Sequence, residues 1–126
     1  MIKAVIGFRI PSLNEYIDVC RSNRFEAAKF KRNLEAGIAF YLRKLPKIEK
    51  PVKIHFHWIE ANRRRDYDNI AFGKKFILDT LVKLGKLKDD NRKYVVGFSD
   101  TFELGERAKV ILYIEEVNND TKGKDT

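Results

Sequence analysis

Residues 52–60 read VKIHFHWIE. Val52, Ile54, Phe56 and Trp58 alternate with polar neighbours, and the two-residue period of a β-strand puts all four on one side. A helix would scatter them around its circumference. A strand that is apolar on one face needs a second layer laid across it, so the stretch commits the chain to a sheet with a covering layer. Pro46 and Pro51, in LPKIEKP, separate the strand from what precedes it, because neither continues a helix.

Two segments have the period to supply that layer. From about Asn23 to Lys44, Ala27, Phe30, Leu34, Ile38, Tyr41 and Leu42 recur at three- and four-residue steps, while Lys29, Arg32 and Glu35 face out. From Ile70 to Leu84, Ile70, Ile77, Leu78, Leu81 and Leu84 form a second stripe; Asp68 or Asn69 can cap it and Gly85 ends it. KAVIGFRI (3–10) reads as a first strand and IPSLNEYI as a loop, with Pro11, Ser12 and Asn14 as turn residues. KYVVGFSDTFE (93–103) and RAKVILYIEE (107–116) read as the last strands, and the LGE turn between them suggests a hairpin. The expected order is βαβαββ: one α/β (α+β) domain over residues 1–117, a mixed sheet with helices packed on it. At 126 residues the chain is long enough for one core. The polar run VNNDTKGKDT closes it, and residues 118–126 are read as a disordered tail.

Lysine and arginine number 26 against 18 acidic residues, a net charge of +8. That excess points to a polyanionic partner, nucleic acid before an anionic membrane; the plain alternative is a merely basic protein. One cysteine, Cys20, excludes an internal disulfide and a multi-cysteine zinc site. No signal peptide is recognisable and no apolar run approaches the ~18 residues of a membrane span, so a cytoplasmic address without membrane contact is expected. No glycine-rich phosphate loop is present, and no organic cofactor is expected.

The charge is unevenly placed. NRRRDYDN (62–69) sets Arg63, Arg64 and Arg65 directly before Asp66 and Asp68. If 66–68 is extended, both carboxylates project from one side and can share a hard cation such as Mg²⁺. Equally, Asp66 can pair with the arginines and Asp68 can cap the helix; a lone D-x-D does not decide between them. KLKDDNRK (86–93) adds Asp89 and Asp90 in the loop before the third strand. If that strand lies beside the second, the loop can approach Asp66 and Asp68. Arg63, Arg64, Arg65, Lys86, Lys88, Arg92 and Lys93 surround these acids: carboxylates for a metal, cations for phosphates, the pair of needs of metal-assisted phosphodiester hydrolysis. Lys75 lies two helical turns after Asp68 on the same face, where it can stabilise charge on a leaving oxygen, with Asp79 one turn on to orient it. Lys74 is the alternative. His55 and His57 could suggest zinc, but with no third ligand they read as residues of the sheet face.

These residues carry a resemblance. NRRRDYDNI…KKFILDTLVKLGKLKDD is similar to the signature of the RusA family of Holliday junction resolvases: a basic run into D-x-D-N, a helix with a lysine before D-x-L, then a glycine turn into Asp-Asp. IPSLNEY resembles that family's Pro-Ser-x-Asn loop. The match runs from about Arg9 to Gly97, and the sequence resembles a prophage-borne branch. The resemblance implies a homodimeric, Mg²⁺-dependent endonuclease (Mn²⁺ as a substitute) that resolves four-way junction DNA by paired nicks in recombination and repair. It implies Asp66, Asp68 and Asp90 as metal carboxylates and Lys75 as the catalytic lysine, with Asn14 and Lys74 joining the basic residues on DNA. Two departures stand out: the lysine follows the second aspartate by two turns rather than one, and Arg92 replaces a frequent glutamine. Rival readings are a non-catalytic basic DNA-binding module and a D-x-D nucleotidyltransferase. The second lacks its usual Gly-Ser element here.

Overall fold

A computed structural model describes residues 1–118 of the chain. Its elements are β1 (Ile2–Ile6), α1 (Leu13–Ser22), α2 (Arg24–Leu42), β2 (Val52–Glu60), α3 (Tyr67–Ala71), α4 (Lys74–Lys83), β3 (Val95–Leu104) and β4 (Lys109–Glu116). The four strands make one mixed sheet in the spatial order β1-β4-β2-β3. β2 runs parallel to β3, while β4 is antiparallel to both β1 and β2. This is a single small α+β domain. Beyond Asn118, the expected 118–126 tail lies outside the described residues.

The alternation in β2 sets the core. Val52, Ile54, Phe56 and Trp58 are buried, level with Val110, Leu112 and Ile114 of β4 and Ala4 and Ile6 of β1. Leu34, Ile38 and Leu42 of α2 and Phe76, Ile77 and Leu81 of α4 close over them in one cluster. Each such side chain contributes about 1.5–3 kcal/mol when fully buried. The sheet's other face carries a polar ladder. His55 Nδ1 meets Ser99 Oγ at 2.6 Å and its Nε2 meets Thr101 Oγ1 at 2.8 Å; His57 Nδ1 meets the same hydroxyl at 2.6 Å and its Nε2 meets Glu103 at 2.9 Å. All four ring nitrogens thus have partners on β3, which is the sheet-face role expected of these histidines.

Three local expectations change. Residues 13–22 are a helix rather than a loop. Ser12 caps it in a capping box: its Oγ accepts from the Glu15 amide, and the Glu15 carboxylate accepts from the Ser12 amide. Asn23, in extended conformation, closes α1 and caps α2 through the Glu26 amide at 2.8 Å. Next, the single helix expected over 70–84 is broken into α3 and α4 at Phe72–Gly73. There the chain presses on the core so closely that a Cβ on Gly73 would lie 2.8 Å from Ile10 Cγ2. Gly85, at φ +72°, ends α4 as expected.

The third change is topological. β3 and β4 do not form a hairpin; they lie on opposite sides of β2. Residues 105–108 carry the chain over the end of β2, where the Gly105 amide donates to the Glu60 carbonyl at 2.9 Å. A Cβ at Gly105 would sit 2.7 Å from Ile59 Cγ2, so the crossing needs glycine.

Candidate functional site

The basic run leaves β2 and turns back over its end. Arg65 faces inward: its guanidinium donates twice to the Glu60 carboxylate, both at 2.7 Å, and once to the Ile10 carbonyl at 2.8 Å. Only 12% of its side chain is exposed. It also lies 3.8 Å from Glu15, which pairs with Arg9. The hydrogen bond from Arg9 holds the Glu15 carboxyl below the usual range, against the opposing effect of burial. Arg65 therefore pins α1 and β2 together. Arg63 and Arg64 are exposed, and their side chains have no partner among the described residues.

Asp66 and Asp68 part company. The chain is extended at Asp66 but helical from Tyr67, so the condition under which both carboxylates would share one side, an extended 66–68, is not met. Two residues around a helical turn point to different sides. Asp66 lines a cleft of about 570 Å³ with Glu60, Asn62, Arg63, Tyr67 and Phe102. Asp68 lines another, of about 590 Å³, with Tyr16, Lys31, Phe72, Lys75 and Asp79.

The two adjacent lysines also differ. Lys74 Nζ donates to Asp100 Oδ2 at 2.6 Å, and the indole of Trp58 donates to Asp100 Oδ1 at 2.8 Å. The ammonium also lies over the Phe98 ring at 4.5 Å and the Phe56 ring at 5.3 Å. Its side chain is 18% exposed, that of Asp100 21%. Lys75 is 59% exposed and donates to Asp79 at 3.1 Å. That hydrogen bond, and then the charge of Asp79, raise its pKa above the ordinary lysine value; Asp90 and Glu35 add to the rise and burial opposes it. Both lysines line the cleft of Asp68; Lys75 is an exposed, protonated cation there, while the ammonium of Lys74 is engaged by Asp100.

Asp89 and Asp90 sit in the turn before β3, where Asp89 Oδ1 accepts from the Asp90 amide at 2.7 Å and Asp89 Oδ2 from the Asn91 side chain at 3.1 Å. β3 does lie beside β2, but in parallel, with Val52 opposite Val95 and Glu60 opposite Leu104. The turn therefore enters the sheet at the end away from Asp66. Among the described residues, no three His, Cys, Asp or Glu side chains gather closely enough to hold a metal ion. As placed in one chain, Asp66, Asp68 and Asp90 do not fit a three-carboxylate Mg²⁺ cage. Lys88, Arg92 and Lys93 around this turn are exposed, Lys86 is half-buried, and Asn14 is exposed on the first turn of α1.

Lys31, on α2, had no local signal in sequence; it reaches Asp79 at 3.6 Å from across the cleft. Asp100, in the GFSD stretch of β3, reads from sequence as structural with a possible supporting contact; the fold makes it the partner of Lys74. No family model matches the chain, and no curated protein matches it.

Proposed function

We propose that the chain is a structure-selective DNA endonuclease of the RusA type, Mg²⁺-dependent and homodimeric, that resolves four-way junctions by paired symmetric nicks in recombination and repair. The supporting observation is Lys75: an exposed, protonated ammonium in the cleft that holds Asp68, oriented by Asp79 and sensing the charge of Asp90. A lysine held above its ordinary pKa cannot serve as a base near neutrality. It can neutralise charge growing on a phosphoryl or leaving oxygen, which favours the transition state over the bound ground state. Arg63 and Arg64, exposed and without side-chain partners among the described residues, supply guanidiniums for the DNA backbone. Mg²⁺ enters the proposal through the resemblance; of the three carboxylates that it implies, Asp68 lines the cleft of Lys75 within one chain.

Retention without cutting is the second reading, a basic DNA-binding module, and the separation of Asp66 from Asp68 and Asp90 favours it. A labelled four-way junction incubated with the protein, with Mg²⁺ or with chelator, distinguishes them. Paired nicks that need Mg²⁺ and vanish in Asp68→Asn, with junction binding kept, are expected. Tight retention with no nicks in Mg²⁺ or Mn²⁺ would establish the module and overturn the nuclease.

A further inference from the structure

Tyr67 stands between the two aspartates of the motif, and the hydrolytic reading gives it nothing to do. Its ring stacks on Phe102 of β3, with centroids 4.1 Å apart and planes 9° from parallel. Phe102 packs against the core, so the lower ring is fixed in place. Tyr67 is nevertheless 65% exposed. A ring with one face covered reaches that exposure only when its other face is open. Isolated exposed aromatics are common and need no explanation. This one differs in being pre-oriented on a rigid backing and in its setting.

The setting is the cleft that Tyr67 and Phe102 share with Arg63, Asp66 and Glu103. Arg63 and the adjacent Arg64 are exposed and without side-chain partners among the described residues. Asp66, exposed and without an ion-pair partner among the described residues, makes the cleft itself unfavourable to a phosphate. A neutral, flat group attached to a phosphate chain suits both facts: the plane lies on Tyr67, and the phosphates pass outside the cleft along the arginines. We propose that Tyr67, backed by Phe102, is a stacking platform for one unpaired nucleobase of a DNA strand. The proposal rests on the reading that DNA is the partner. A base within a continuous duplex already has neighbours on both faces and would have to be pulled out at a cost. The platform therefore favours branch points, gaps and single strands over intact duplex, and is indifferent to base identity because every base has a π-face.

A binding cycle tests this with the full-length protein, using a four-way junction, the same junction with one abasic site at the branch, and a continuous duplex of equal length. Losing one stacked base lowers affinity by about tenfold. Tyr67→Ala is expected to weaken junction binding by that factor and duplex binding hardly at all, while Tyr67→Phe, which keeps the ring, binds as wild type. An abasic site scanned through the branch positions should cost wild type a similar factor at one position and cost Tyr67→Ala nothing further there. Equal losses in wild type and Tyr67→Ala at every position would overturn the platform while leaving the nuclease reading intact. Failure of wild type to bind any of the three DNAs would remove both.

Discussion

Lys74 and Lys75 are neighbours in sequence with opposite expected phenotypes, and the difference can be measured as stability. Replacing Lys74 by alanine leaves the Asp100 carboxylate with only the Trp58 N–H, in a site about four-fifths shielded from water. Removing one partner of a fully buried ion pair costs about 3–5 kcal/mol, whereas an exposed pair is worth about 0.2–1 kcal/mol. At this level of shielding we expect about 2–3 kcal/mol, including part of the ~0.5–1 kcal/mol of cation–π attraction to Phe98 and Phe56. With a urea m-value of about 1–3 kcal/mol/M, the unfolding midpoint should fall by about 1–2 M. Lys75→Ala loses an exposed pair to Asp79, worth less than about 0.5 kcal/mol, and its midpoint should barely move. Asp100→Asn in the Lys74→Ala background removes the orphaned charge and should restore part of the loss, with a coupling of about 1 kcal/mol or more. Equilibrium urea unfolding of wild type, Lys74→Ala, Lys75→Ala, Asp100→Asn and the double variant decides the matter. A Lys74→Ala protein within about 0.5 kcal/mol of wild type, or no recovery on adding Asp100→Asn, would refute the internal ion pair. Below the transition, single-turnover cleavage should fall strongly in Lys75→Ala and only mildly in Lys74→Ala.

The salt dependence of junction binding should flatten by about 0.9 per lost phosphate contact in Arg63→Ala and Arg64→Ala, whereas Arg65→Ala should lower thermal stability and leave the slope unchanged. Lys75 has its pKa raised in the fold, so its pairing is fully present below the ordinary value of about 10.4 and lost as pH rises through the higher folded value; a pH–rate profile should show no lysine limb below about pH 10. Glu15 has the opposite sign: lowered by Arg9, it stabilises the fold above about pH 4.3 and ceases to do so as pH falls through its folded value, so Glu15→Gln should flatten the acid limb of stability. Gly105→Ala should cost about 1–3 kcal/mol by forcing a methyl against Ile59, a loss to be read by thermal unfolding.

Where one period dominated, the fold was legible. The two-residue alternation of 52–60 placed its strand and its buried face; the helical stripe of 23–44 placed its helix, but Glu35, expected to face out, is buried and accepts from Lys83, and Tyr41, expected to face in, is exposed. At 10–17 the turn residues Pro11, Ser12 and Asn14 point to a loop, yet Ser12 and Glu15 also have the spacing of a capping box, and it is the box that starts α1. The broken second helix and the missing hairpin share a different cause. Gly73 and Gly105 are set by close approach to Ile10 and Ile59, residues distant in sequence, and turn chemistry carries no trace of them. The site shows the same limit. The basic run and the acidic residues stand out in one dimension. That Arg65 turns inward, Lys74 is engaged and Asp66 faces away from Asp68 follows from where β2 ends and which strand lies beside it.

The last strand among the described residues is also the one that joins the sheet. β4 lies between β1 and β2, and β1 has no other strand partner among the described residues. During synthesis β1 must therefore wait for β4, more than a hundred residues on, before its backbone amides find acceptors, a heavy load of long-range closure. Until then β1 and β2 both present open edges to other nascent chains, and the basic surface helps to keep such copies apart. A chain ending at Leu104 should keep Ile2–Ile6 unprotected in hydrogen exchange, and adding residues 105–117 should protect all of that strand together rather than piecemeal.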